Sequence, residues 1–241
     1  MKTRLFISLL MLLFLALYCR FYTQIHPTPV HTRFIKMINT GETISSWQGP
    51  WSCVLDSRLN VLWEVKTDNE SIHDGYWTYS WFDETHGKEN FGDCYFEEKR
   101  CDTNDLIRHT NQQGLCNQYN WRLPTPDELQ SLITSPQRPG QSHINNDYFP
   151  FIHQGDYWTS ASQQPLPQHF SPHSSPHSSP NSSQVNSGAL ATNFHAGQQV
   201  TLPYRNAAFV ILVSSLTETN TTSRLGRRAI IKSTSQKEAR K

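Results

Sequence analysis

The residues best equipped for chemistry are four cysteines, Cys53, Cys94, Cys101 and Cys116. A thiolate can attack a substrate, ligate a metal or be oxidised to a disulfide. No two of them form a C-x-x-C pair, so the spacing matches neither a zinc ribbon nor a thioredoxin-type redox pair. An even number of cysteines behind an apolar N-terminus with a basic start reads instead as two disulfides, for which three pairings exist. Of these we expect Cys94–Cys101 as a local clip and Cys53–Cys116 as a long staple. The chain contains no H-E-x-x-H, EF-hand, G-x-S-x-G or phosphate-loop pattern. No catalytic, cofactor-binding or metal-ligating residue is therefore assigned, and no cofactor is expected.

Other groups have both a binding reading and a packing reading. Trp77, Tyr79 and Trp81 alternate and would share one face of a strand. They could form a sugar-stacking platform or, as we favour, one side of the core. In W-R-L-P-T, Arg122 could hold a ligand carboxylate. A buried structural pair is the stronger reading, because Trp121, Arg122, Thr125 and Glu128 together look like a packed helix start. His173 and His177 recur in a Pro/His/Ser repeat that could catch metal but reads as plain linker. Arg224, Arg227 and Arg228 could meet an anionic surface, and otherwise form a solvated tail.

The elements that must position these groups are short. Residues 51–54 and 60–65 read as strands around a turn at 56–58, and 75–82 as an aromatic strand. A first helix starts after Asp102 or Thr103 and stops at Gly114. In the second, Thr125 caps, Pro126 takes the first helical position and Glu128 completes a capping box. Leu129, Leu132 and Ile133 form its buried stripe, and Pro136 ends it. Residues 148–152 read as a packed loop, and 157–160 and 189–194 as strands. Residues 195–197 form a turn, and the apolar run 207–213 a central strand. Residues 162–188, with P-H-S-S, P-H-S-S and P-N-S-S in succession, read as a disordered insertion. The folded domain is expected over 40–213, between a linker at 20–39 and a basic tail at 214–241.

Twelve Phe, nine Tyr and seven Trp in 241 residues supply enough large side chains for a core. The net charge of +1 conceals an acidic middle between basic ends. Residues 1–39 carry five Lys/Arg and no Asp/Glu, residues 40–213 nine against eighteen, and residues 214–241 seven against two. Such an acidic fold is a poor partner for nucleic acid. Lys2 and Arg4 precede an apolar run over residues 5–19, the pattern of an export signal. Whether it is a cleaved signal peptide, a short membrane anchor or a lipidated Cys19, the fold is placed outside the cytoplasm.

Several motifs occur in an ordered set: W-S-C-V-L-D at 51–56, L-W-E-V-K-T at 62–67, Y-S-W at 79–81 and C-D-T at 101–103. W-R-L-P-T-P-D-E-L at 121–129, Y-F-P at 148–150, Y-W-T-S at 157–160 and N-F-H-A-G at 193–197 follow. The set resembles the Lcl C-terminal domain family, named for the terminal domain of a bacterial collagen-like adhesin, over roughly residues 40–213. The R-L-P-T-x-x-E element is also similar to that of formylglycine-generating, sulfatase-modifying enzymes. Both resemblances imply an α+β, C-type-lectin-like fold, with two helices on twisted antiparallel strands. The family usually has Gly after the cysteine matching Cys116, where this chain has Asn117, and often an Arg in its last strand, where 209–213 has none.

The function this implies is an exported bacterial binding or adhesion module without catalysis, its partner a glycan or another envelope component. A structural envelope protein, in contact with the membrane through residues 5–19, and an enzyme related to formylglycine generation are the alternatives. Homo-oligomerisation is compatible with each.

Overall fold

The computed structural model describes residues 11, 13–15, 17, 18, 32–95, 101–134, 143–167 and 187–216. The chain divides into two units, Met1–Arg33 and Phe34–Lys241. In the first, Met11, residues 13–15, Leu17 and Tyr18 are helical and exposed. No helix among the described residues is long and apolar enough to cross a membrane.

The second unit is α+β. Its strands are β1 (Phe34–Met37), β2 (Cys53–Asp56), β3 (Val61–Glu64), β4 (Trp121–Arg122), β5 (Asp156–Trp158), β6 (Gln164–Pro165), β7 (Ser187–Asn193), β8 (Gln198–Pro203) and β9 (Val213–Ser215). The α-helices are α1 (Thr103–Gln113) and α2 (Pro126–Gln130). One antiparallel sheet has the order β1-β2-β3-β9-β4, and in the other β7 pairs with β5, β6 and β8. β2 and β3 form a hairpin in which Asp56 pairs with Val61 and Cys53 with Glu64. Its turn is closed by the Asp56 carboxylate accepting from the Arg58 amide at 3.0 Å, and by Asn60 at φ 55°, a conformation Asn tolerates better than most residues.

Successive strand residues point to opposite faces. Cys53 and Leu62 enter one apolar cluster with Tyr79, Trp81, Leu106, Trp121 and Trp158. Val54 and Trp63 enter another with Leu129, Phe149, Tyr157 and Phe194. The same alternation divides the run before β9: Val210 and Leu212 go to the first cluster, Ile211 and Val213 to the second. Burial on both faces explains why 208–213 is apolar throughout.

Both helices begin as the sequence predicts. Asp102 caps α1 by accepting from the Asp105 amide, and Gly114 closes it at φ 66°. Thr125 and Glu128 form the reciprocal capping box of α2 with Pro126 at its start. α2 is shorter than expected, ending at the Ser131 cap, while Leu132 is still buried beyond it. Cys53–Cys116 ties β2 to the turn after α1, and Cys94–Cys101 closes the loop ahead of α1. Asn117 lies at φ 58°, the left-handed region that favours Gly.

The differences from expectation involve pairings between distant segments. Residues 75–82 are not a ladder strand: Thr78, Tyr79, Ser80 and Phe82 bridge singly to Asp93, Ala208, Asp102 and Gly87. The run 207–213 becomes regular strand only at Val213, because Ala208 and Phe209 bridge to Tyr79 and Tyr157 first. β1 lies in the segment read as linker; it is held there by full pairing with β2. Ser214 and Ser215, read as tail, complete β9 between β3 and β4. Gln164, Pro165, Ser187 and Gly188, placed in the insertion, pair as β6 with β7. The P-H-S-S repeat with His173 and His177 lies outside the described residues, as do Arg224, Arg227 and Arg228.

The disulfides differ in the loops they close, with sequence separations of 63 and 7. Loop-closure entropy then predicts that removing Cys53–Cys116 as a double Ala variant costs about 4 kcal/mol, and removing Cys94–Cys101 about 2 kcal/mol. Urea unfolding of the two variants checks the order; equal losses would contradict it.

Candidate functional site

At the end of β3, Glu64 is fully buried and makes three bonds. Its Oε1 accepts from Lys66 Nζ at 3.0 Å and lies 2.7 Å from His73 Nδ1, while Oε2 accepts from the Leu212 amide at 2.9 Å. The Leu212 carbonyl in turn accepts from the Glu64 amide at 3.0 Å. His73 Nε2 lies 3.1 Å from Oε1 of Gln113, in the last turn of α1. Burial alone would raise the Glu64 pKa, but Lys66, His73 and the Leu212 amide outweigh it and hold the carboxyl at about 2.

This network roots the loop between Thr67 and Tyr76. Within the loop, Asp74 Oδ2 accepts from the amides of Asn69 and Glu70, at 2.9 and 2.7 Å, and Oδ1 from that of Tyr76 at 2.9 Å. Thr67 and Asp74 bridge at its neck. Gly75 is obligatory, since a Cβ there would lie 2.4 Å from the Phe151 carbonyl oxygen. That close approach sets the loop against residues 151–153. The Tyr76 ring, 65% exposed, stands 4.3 Å from the His153 imidazole. His153 stacks on Phe209 at 5.4 Å, Phe209 on Tyr157 at 5.3 Å, and Tyr157 on the buried Phe194 at 4.2 Å. The His153 amide also donates to the Tyr157 hydroxyl at 2.9 Å. A column of rings thus runs from the core to the surface, where Phe151 is also exposed.

The residues singled out by sequence fall elsewhere. Tyr79 and Trp81 are buried, at 0% and 2% exposure, and donate to the carbonyls of Ile72 and Thr159. Trp77 is half-buried, donates to the Ser71 carbonyl and meets Tyr95 edge-on at 5.2 Å. Tyr79 and Trp81 are core rather than platform, and Trp77 packs at the edge of that core. Tyr76, the exposed aromatic beside them, was missed, and alternation does not single it out, because Ser80 of the same parity is fully buried. Trp121 is buried and bonds the Leu115 carbonyl. Arg122 grips Glu128 with two 2.8 Å bonds, but half-exposed rather than buried. The Glu128 hydrogen bond raises the Arg122 pKa. On Glu128 itself, burial pushes the pKa up and is outweighed by Arg122 and the Thr125 cap, which hold it low. All four cysteines are oxidised in the expected pairs. Among the described residues no group of three or more His, Cys, Asp or Glu could hold a metal ion.

Compared with known proteins, residues 52–214 match the family model described as the Lcl C-terminal domain. That span runs from the start of β2 into β9. No curated protein and no solved structure matches.

Two carboxyls give pH signatures of opposite sign. Glu64 lies below its ordinary 4.5, so its contribution is present above pH 4.5 and is lost as pH falls toward about 2. Glu64→Gln, which leaves Lys66 buried without its carboxylate, is expected to cost about 3–5 kcal/mol at pH 7. It also flattens the stability profile between pH 2 and 4.5. Denaturant midpoints across that range measure both effects, and an unchanged acid limb would refute the assignment. Burial, reinforced by Asp105, raises Asp102 from 3.8 to about 6 against the backbone bonds that oppose it. Its contribution is present below pH 3.8 and is lost as pH rises through about 6. Asp102→Asn keeps the helix cap. The stability of this variant relative to wild type should therefore rise between pH 4 and 7, and a pH-independent difference would show that Asp102 does not titrate in that window.

Proposed function

The chain belongs to the Lcl C-terminal domain family, and from that membership we propose that it is an extracellular adhesion-type module that binds a glycan and carries out no catalysis. The family and the two disulfides point to an extracellular protein, since such bonds persist in oxidising compartments. The family membership is the observation that carries the adhesion reading. The formylglycine-type alternative is disfavoured, because the four cysteines of the fold are joined in pairs. The proposed route outward is the basic, apolar N-terminus, acting as an export signal. The lectin-like architecture implied by the resemblance belongs to the same proposal.

The acidic composition of residues 40–213 disfavours nucleic acid as partner. Glycans carry hydroxyls and apolar ring faces, and the exposed aromatics of the fold suit both.

Binding of the purified chain to neutral, amino-sugar and sulfated glycans, titrated with salt, tests the proposal. A version ending at Leu216 keeps β9 whole and removes the basic tail. Binding that resists salt and survives truncation is expected, because the site lies on the fold. Binding lost with the tail, or absent from every glycan, would overturn it.

A further inference from the structure

We propose that Tyr76, backed by His153, is a stacking platform for one pyranose ring of a neutral or amino-sugar glycan. This rests on the glycan-binding reading and gives it a place and a charge class. The Tyr76 ring is 65% exposed, yet it is not a loose surface side chain. Its backbone is held by the Asp74 carboxylate, and Gly75 brings it against the Phe151 carbonyl. One flank rests on His153, the outer member of the stack that ends on Phe194 in the core. A ring fixed in this way loses little freedom when a ligand lands on it. Among the described residues, nothing hydrogen-bonds the Tyr76 hydroxyl.

The size of the patch selects the ligand. The Tyr76 and His153 rings match the C–H face of a single sugar ring, whereas a specific protein interface buries on the order of 1,000 Å² or more. Aromatic faces carry negative quadrupole charge and attract polarised C–H groups. Charge selects further. Asp68 and Glu70 are exposed on the loop that carries Tyr76. Residues 40–213 hold eighteen Asp/Glu against nine Lys/Arg. This field repels sulfated or uronic chains and tolerates neutral or protonated amino sugars.

The test uses the full chain with chito-oligosaccharides, a neutral galactan and heparin in calorimetric titrations. The wild-type chain is expected to bind a neutral or amino-sugar ligand with little dependence on salt. Tyr76→Ala should weaken that binding about five- to tenfold, whereas Tyr76→Phe, which keeps the ring, should retain it. Trp47→Ala removes another exposed aromatic and should change nothing. An unaltered thermal midpoint confirms that Tyr76→Ala is folded. Glycan binding unaffected by Tyr76→Ala would overturn the platform and leave the glycan reading intact. Binding to heparin alone would do the same by contradicting the charge class. Binding to none of the three would overturn both.

Discussion

The buried carboxylate of Glu64 is the interaction on which the rest of the unit depends. A lone carboxylate in an apolar interior would be neutralised or expelled. Here it is held ionised by one ammonium and one imidazole from the segment that follows β3 and by the distant Leu212 amide. The Leu212 amide fastens the run that separates the two apolar clusters. Lys66 and His73 fasten the loop that follows β3, and through His73 the grip extends to Gln113 of α1. Loss of the carboxylate would release all of these segments at once, so their positions are cooperative rather than separately determined.

Such a device is needed because the regular elements are small. β4 has two residues, and its backbone is completed by a side chain: Asn111 accepts from the Trp121 amide at 2.6 Å and donates to the Trp121 carbonyl at 3.0 Å. The segment 78–82 has no continuous partner, yet Tyr79 and Ala208 exchange two backbone bonds and Ser80 and Thr103 meet across the start of α1. Buried indole nitrogens of Trp81, Trp121 and Trp158 each find a carbonyl. Large aromatic surfaces supply the hydrophobic gain, and their polar edges satisfy backbone that short strands leave unpaired. The two disulfides then restrict the unfolded chain where short strands restrict the folded one weakly.

What the sequence disclosed was local. Asp102, Gly114 and the Thr125–Glu128 pair act within a few residues of the backbone they cap, and their chemistry is visible without tertiary context. The hairpin at 53–64 and the turn near Gly197 were legible for the same reason. β1, β6 and β9 were not, because two to four residues of modest propensity become strands only when a distant partner is present. The aromatic run shows the limit most clearly. Alternation identified 77, 79 and 81 as one face, but could not show that this face has a different neighbour at each step. Nor could it show that Tyr76, one residue earlier, would meet His153, because that contact depends on Gly75 passing close to Phe151.

The division between buried and exposed aromatics bears on how such a fold can carry recognition. Tyr157 and Phe194 are buried in the core, while Tyr76 at the other end of their stack is open to solvent. An exposed ring on a mobile loop would lose contact entropy each time it bound; one continuous with the core has already lost it on folding. The loop carrying Tyr76 is anchored at its base by Glu64, and the Asp74 carboxylate at its neck holds the amides of Asn69, Glu70 and Tyr76. The hydrogen bonds that stabilise the fold are therefore the same ones that present the ring. Surface residues around it can vary without disturbing that presentation, so in the proposed platform the scaffold would set where a ligand is met and the neighbouring side chains which ligand it is.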